Sequence, residues 1–432
     1  MTKQEAAIKY ITENYIDFNR LRHDIVADKL QVRDETGWRE MTKHDINSIV
    51  CHCAQEYDAN ITSREVMTAL QSDLIPDVHP LREYVLSCGE WTEEQPDWID
   101  FVASQVRVAD NASDSEKGSN GSKSSKGESA VEISRTSRTP STKADTLWRG
   151  CFKKWFVAMV ASWMKNEVVN HQVLVLIGKQ GIFKTTWLEH LIPPHLRAYA
   201  CKLANSNDLN KDERLRIAEF GLISLDEIDS MNNRELNQLK SVITATDVNE
   251  RAAYAYTKER RVRLASFCAS GNRRDFLTDI TGNRRWLPFE VESIQNPFYT
   301  LLPYERMYAQ AWALAQNPLF SYWFDLDEIE VLEQHNQYFR DESNEEQLLD
   351  VYFAVPAEGA SNTKFLTTAE ISERLIYYGN IKRPLSLSRL GVLLSQKGFL
   401  SIRKGSPQRR GWVVYERDNE EINAERRILS KT

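Results

Sequence analysis

The sequence predicts an α/β protein built on a parallel sheet, with a mainly helical amino-terminal domain before it and a small domain of helices and a basic hairpin after it. Three observations carry that prediction. Short apolar runs at residues 173–177, 221–225 and 264–269 have the near-continuous apolar character of strands buried on both faces. Helical periodicities separate these runs, as crossover helices separate the strands of a parallel sheet. The chain has 432 residues, 41% of them hydrophobic and 27% charged, which suits two or more folded domains and excludes wholesale disorder or a fibrous rod.

Composition narrows the function classes. The formal charge of −7 excludes a surface basic throughout, so any nucleic-acid contact must come from local clusters of Lys and Arg. The six cysteines form no CxxC pair, and neighbours in the Cys51-His52-Cys53 triplet should point apart on any regular element, so structural zinc is not expected. The first residues lack a basic stretch followed by an apolar core, and no run approaches the roughly eighteen apolar residues of a membrane span. The expectation is a reduced, cytoplasmic protein.

In chain order, residues 1–110 mix helical patterns at 5–15 and 45–56 with a hairpin near 30–38. Residues 111–146 are rich in Ser, Gly, Lys and Thr and poor in apolar residues, which predicts a flexible linker. An amphipathic helix over 147–169, rich in Trp, Phe and Val, leads into the first apolar strand and opens a core spanning 147–298. Residues 299–360 turn helical and acidic, with helices at 304–316 and 325–339. Residues 361–418 give a capped helix opening at 367–371, a second at 386–396, and strands at 399–403 and 411–415 around a basic turn: a winged-helix layout. Residues 419–432 read as a charged tail.

The chemistry concentrates where the three apolar strands end. After the first comes Gly178-Lys179-Gln180-Gly181-Ile182-Phe183-Lys184-Thr185-Thr186, between a strand and a helix, the context of a phosphate-binding loop. There the backbone of Gly178, Gln180, Gly181 and Thr186 cradles phosphates, Lys184 reaches the β- and γ-phosphates of ATP, and the Thr185 hydroxyl binds magnesium. Phe183 stands where the pattern has glycine, so the loop is expected to keep a conformation that a side chain permits. An ordinary strand-to-helix turn is the alternative.

The second strand ends in Asp226-Glu227, forty-two positions after Lys184. Asp226 is a magnesium ligand candidate and Glu227 a candidate to polarise an attacking water. A helix cap flanked by surface acids, to which Asp229 and Ser230 would contribute, is the alternative. Asn272, at the end of the third strand, can orient the γ-phosphate or the lytic water. Arg284 and Arg285 follow a glycine turn and suit an arginine finger, with Arg284 the preferred one and a structural ion pair the alternative for at least one of them.

Two basic regions are candidates for DNA. Residues 251–263 alternate aromatic, small and basic residues, predicting a hairpin that presents Tyr254, Tyr256, Lys258 and Arg260 to a strand backbone; a solvated edge hairpin is the alternative. Arg403, Lys404, Arg409 and Arg410, with Lys397, fall on the second helix end and the basic turn, and such a surface also serves protein contacts.

Taken together, GKQGIFKTTW (178–187), LISLDEID (222–229), RAAY (251–254), ASGN (269–272) and FLTDITGNRRWLPFEV (276–291) resemble the virulence-associated E (VapE/VirE) family of mobile-element and phage proteins, itself similar to superfamily 3 helicases of the AAA+ class. HPLREY (79–84) looks like the lead-in segment of that family, and residues 321–352 look like the extra domain of its Bacteroides-type branch. The resemblance implies a P-loop NTPase fold and an ATP- and magnesium-dependent, hexameric DNA translocase in the replication of a mobile element or phage. It also implies a DNA-gripping hairpin at 254–258, an arginine finger acting in trans, and work alongside a separate primase or initiator. Two other functions fit the residues: a replication initiator that uses ATP as an assembly switch without unwinding, and a signalling ATPase whose basic segments face protein.

Overall fold

The computed structural model describes residues 2–35, 37–57, 60–110, 142–203, 215–250, 259–277, 282–341, 344–357, 363–379, 386–405 and 408–429. Most of the expected linker, the tip of the 251–263 hairpin and residues 278–281 lie outside them. The chain divides into two compact units, Met1–Arg274 with Arg284–Leu332, and Asp275–Asn283 with Glu333–Thr432.

The first unit opens with helix Lys3–Ile11, whose Thr2 cap and Glu5 side chain satisfy each other's backbone N–H groups. Beside its helices, its amino-terminal part holds a four-stranded sheet in the order Gly37–Glu40, Lys29–Asp34, Leu21–Asp24, Asp77–Val78. The hairpin expected near residue 30 forms its outer half. Leu21–Asp24 was invisible as a strand because its last residue is a buried carboxylate, satisfied by the N–H groups of Val26 and Ala27, the Gln31 amide and the Tyr199 hydroxyl. Helices Lys43–Tyr57 and Ser63–Leu70 join Ala6, Ile11, Leu21 and Val32 in one apolar cluster.

The larger sheet has six strands, ordered Val106–Val108, Trp286–Ile294, Val173–Ile177, Ser266–Gly271, Leu222–Leu225, Ala200–Leu203. Only the first pairing is antiparallel. The three apolar runs read in the sequence are its central strands, buried along their whole length. Trp286–Ile294 carries Pro288 beside Val175 of Val173–Ile177, and its antiparallel partner Val106–Val108 pairs with its second half, from Val291 onward.

Helix Lys143–Met164 lies against this sheet. It begins inside the expected linker, capped by Thr142, and its last three turns are buried almost all round rather than along one stripe. Helices Trp98–Ala103 and Tyr304–Gln316 cover what an amphipathic helix would leave wet. Three buried tryptophans tie it down: the indole N–H groups of Trp148, Trp155 and Trp163 donate to the carbonyls of Ala103, Phe267 and Gly221 at 2.9, 3.1 and 3.1 Å. Leu81, Val85, Trp98, Ile99 and Val106 belong to the same core, so residues 80–108 pack with the large sheet although they precede the linker. Within the lead-in segment, Arg82 donates to the Trp163 carbonyl at 2.7 Å and caps the end of the long helix.

The second unit has helices Asn344–Tyr352, Thr368–Gly379, Leu387–Gln396 and Asn419–Leu429. Strand Arg409–Glu416 pairs antiparallel with Phe353–Ala354, Thr363–Leu366 and Leu400–Lys404 around Ile371, Leu375, Leu390, Leu394 and Val414. The stretch read as a charged tail is helical because Asp418 accepts the N–H groups of Glu420 and Glu421, both at 2.9 Å, while Glu421 accepts that of Asp418. No helix among the described residues is long and apolar enough to cross a membrane.

Gly221 shows how tightly the tryptophan helix meets the sheet: an added Cβ would lie 2.9 Å from both the Trp163 indole and Leu81. Gly221→Ala is therefore expected to cost about 1–3 kcal/mol of stability, read as a lower urea midpoint at unchanged m-value.

Candidate functional site

The carboxy-terminal ends of the parallel strands converge on a cavity of 320 Å³ lined by Gln180, Gly181, Phe183, Lys184, Thr185, Thr186, Asp226, Glu227, Ser270, Gly271 and Asn272. The loop from Gly178 to Phe183 joins strand Val173–Ile177 to helix Lys184–His190. Its first glycine is required by proximity: a Cβ on Gly178 would lie 2.6 Å from the Val291 carbonyl oxygen. Gly181 has φ +85° and open space around it, so conformation alone asks for glycine there. Phe183 corrects the sequence expectation. It takes φ 68° and ψ 18°, the left-handed conformation natural to glycine, rather than one comfortable for a side chain.

Lys184 is buried, and its ammonium donates to the carbonyls of Gly178 and Lys179, both at 2.7 Å, and to Asn272 Oδ1 at 3.4 Å. Burial lowers its pKa, and the carboxylates of Asp229 and Asp226 oppose that shift. The ammonium thus lies folded onto its own loop, where a bound anion would compete with carbonyl oxygens for it.

Asp226 is the node of the site. Lys202 Nζ lies 2.7 Å from Oδ2, while Ser270 Oγ and Thr185 Oγ1 donate to Oδ1 at 2.9 and 3.3 Å. The Thr185 hydroxyl also lies 2.9 Å from that of Ser270, so its one proton is shared between Ser270 Oγ and Asp226 Oδ1. Burial pushes the Asp226 carboxyl up, but the hydrogen bonds from Lys202, Ser270 and Thr185 outweigh it and hold the group below the ordinary carboxylate range. One carboxylate and two hydroxyls within hydrogen-bond reach form a hard oxygen donor set that fits magnesium.

Glu227, next along, is exposed and also left-handed, with φ 51°. Two non-glycine residues in this conformation on the rim of one cavity store strain where the surrounding structure over-determines them. Asn272 is exposed at the third strand's end, and its N–H and that of Arg273 are held by the Asp229 carboxylate at 3.2 and 3.1 Å. Gly271 permits that approach, since a Cβ there would lie 2.8 Å from Asp229 Oδ1.

Lys202, Ser270 and Asp229 were not singled out as site residues by sequence reasoning. Ser270 was legible as the residue before the strand-ending Gly271-Asn272. Lys202 had no such signal, because its edge strand Ala200–Leu203 lacks an apolar run.

The remaining candidates lie elsewhere. Arg284 and Arg285 immediately precede strand Trp286–Ile294, whose Trp286 pairs with Val173, so they sit at the opposite edge of the sheet from the cavity. The five residues of Val173–Ile177 put about 16 Å between the two edges. Burial lowers the pKa of His171 at that far edge, and the charges of Arg263 and then of Arg285 and Arg284 lower it further. Tyr254, Tyr256 and Lys258 fall outside the described residues. Arg260, on the hairpin strand Glu259–Val262, pairs with Asp247 at 2.7 Å. In the second unit, Arg403 faces Arg410 and Lys404 faces Arg409 across the Leu400–Lys404/Arg409–Glu416 hairpin, all four exposed. Like charges in directly opposed pairs repel, so a polyanion laid over them would relieve that cost.

The Asp226 carboxyl lies below its unfolded value, so the stability it contributes is present above about pH 4 and is lost as pH falls through the lowered value. Lys202→Met is expected to remove less than about 1 kcal/mol at pH 7, the pair being partly exposed. Urea titrations should show the difference from the wild type shrinking as pH falls below about 4, and a difference independent of pH would contradict this assignment.

Comparison with known proteins places these residues in a family. Among solved structures, the apo structure of the NrS-1 C-terminal region aligns at TM-score 0.46 and 10% identity, over 96% of this chain and 100% of that one. The A form of the same region gives 0.43 and 10%, over 96% and 99%. Likenesses at that level bear on neither chemistry nor mechanism. No curated protein matches the chain. The virulence-associated protein E-like domain matches residues 129–346, which span the cavity, all but one strand of the large sheet and the arginine pair. With that match over half its length, the chain belongs to the virulence-associated protein E-like domain family.

Proposed function

We propose that this chain is an ATP-driven DNA helicase or translocase of the superfamily 3, AAA+ type, acting as a hexameric ring in the replication of a mobile element or phage. The observation that carries the reading is the convergence of Lys184, Thr185, Asp226, Ser270 and Asn272 on one cavity at the carboxy-terminal edge of a parallel sheet. Ligands bind at that edge of open α/β sheets. Counting only the parallel strands, the spatial order is fifth, first, fourth, third, second, with the loop after the first strand and the carboxylate after the third, as a P-loop core requires.

In this reading Lys184 leaves the loop carbonyls for the β- and γ-phosphates. Thr185 and Asp226 hold magnesium, which when bound neutralises phosphate charge. Lys202, which occupies one Asp226 oxygen, modulates that carboxylate. Glu227 accepts the proton of the attacking water, and Asn272 orients it. Arg284 lies too far from its own cavity to serve it, which supports a finger reaching a neighbour's γ-phosphate, with Arg285 beside it. The aromatic and basic hairpin grips single-stranded DNA. Arg403, Lys404, Arg409 and Arg410 contact the phosphate backbone from a winged-helix-like domain, and residues 321–352 are the extra domain of the Bacteroides-type branch.

A second reading is favoured by one observation, the left-handed Phe183 beside a Lys184 already held by carbonyls. It makes ATP an assembly switch for a DNA-binding initiator, without productive unwinding.

Steady-state ATP hydrolysis separates the two. The translocase reading expects single-stranded DNA to raise the rate, and Lys184→Ala and Arg284→Ala each to reduce it at least a hundredfold, the scale of losing a charge that acts on the transition state. Bound but never hydrolysed ATP under every DNA condition would leave only the switch. For the basic hairpin, Arg403→Ala with Arg409→Ala should weaken DNA binding uniformly across sequences. The slope of log affinity against log salt should fall by about 2, one per lost phosphate contact.

A further inference from the structure

The segment 295–303 leaves strand Trp286–Ile294 and carries apolar side chains outward: Phe298 is 66% exposed, Tyr299 87% and Leu301 88%. The segment is ordered at both ends. Asn296 Oδ1 accepts the Phe298 N–H at 3.0 Å and the Asn296 carbonyl accepts that of Tyr299 at 3.1 Å. Farther on, the Tyr304 hydroxyl donates to the His190 carbonyl at 2.6 Å. The Phe298 ring is therefore presented in a fixed place.

That place is beside the cavity. Phe298 meets Phe183 at 6.4 Å between ring centroids and 80° between planes, and His190 at 5.5 Å and 85°. Phe183 itself lines the cavity. His190 Nδ1 carries a proton and donates it to the Thr186 carbonyl at 2.7 Å, which fixes the imidazole against the helix. Two near-perpendicular rings thus support Phe298 and leave most of it open to solvent. Phe183 gains a purpose that a glycine could not serve, and this offsets its strained backbone.

We propose that Phe298, braced by Phe183 and His190, is the base-binding wall of the site. A nucleoside triphosphate with its phosphates at Lys184 and Thr185 stacks its base on Phe298. The inference rests on the phosphate-binding reading above and adds which residues recognise the nucleoside. Every base offers a π-face, so a wall of rings separates nucleotides from bare polyphosphate but discriminates weakly among bases. The site accordingly accepts ATP and GTP within a few-fold of each other.

Calorimetric titration with magnesium-ATP, magnesium-GTP and magnesium-tripolyphosphate tests this on the full chain. Wild type should bind both nucleotides about tenfold more tightly than tripolyphosphate. Phe298→Ala should lose that advantage at unchanged tripolyphosphate affinity, and Phe298→Trp should retain it. If wild type binds tripolyphosphate as tightly as ATP, the base wall is wrong and the phosphate site stands. If wild type binds neither, both fall. If Phe298→Ala keeps its preference for ATP and instead dissociates the assembly in sedimentation, the exposed segment is a subunit contact and the proposal is overturned.

Discussion

The carboxylate of Asp226 is the point on which the site depends. It ends one strand, accepts from a second through Ser270, pairs with a third through Lys202, and receives the first hydroxyl of the loop helix through Thr185. Four elements therefore meet at one side chain. Parallel alignment makes this possible, since only parallel neighbours bring their carboxy-terminal ends to the same edge. The same alignment sends Arg284 and Arg285 to the other edge, which is why the proposed chemistry assigns Arg284 to a neighbouring subunit's site.

Beneath the site, the sheet is held by the tryptophan helix. Trp148, Trp155 and Trp163 each combine a large buried area with an indole N–H that finds a carbonyl, so they add directional hydrogen bonds to the apolar packing. A rigid floor of this kind lets Phe183 and Glu227 persist in left-handed conformations on the rim, where isolated residues would relax. For Phe183 the compensation is visible in its contact with Phe298. For Glu227 the strain turns an exposed carboxylate toward the cavity's lining.

Legibility in the sequence followed burial. The strands Val173–Ile177, Leu222–Leu225 and Ser266–Gly271 were readable because both their faces are covered, which forces unbroken apolar runs. Ala200–Leu203 is an edge strand and Trp286–Ile294 contains Pro288 and two glutamates, so neither shows a strand pattern, although one supplies Lys202 and the other follows the arginines. Helix Asn419–Leu429 looked like a tail because its first turn is stabilised by a polar cap, and Leu21–Asp24 was hidden by a carboxylate that hydrogen bonds make tolerable inside. Lys184, Thr185, Asp226, Glu227 and Asn272 were readable from spacing and meet in one cavity. Phe183 was noticed as a departure, but its left-handed backbone and its partnership with Phe298, 115 positions away, arise only from the fold.

A shared site between subunits makes one demand that no other arrangement does. Lys184→Ala retains an intact finger, and Arg284→Ala retains an intact phosphate loop. Mixed together and reassembled, they create interfaces in which the loop of one subunit faces the finger of the other. ATP turnover by that mixture is the most direct measurement. The account expects it to recover a clear fraction of wild-type activity while each variant alone has almost none. A mixture no more active than the sum of its parts would contradict it.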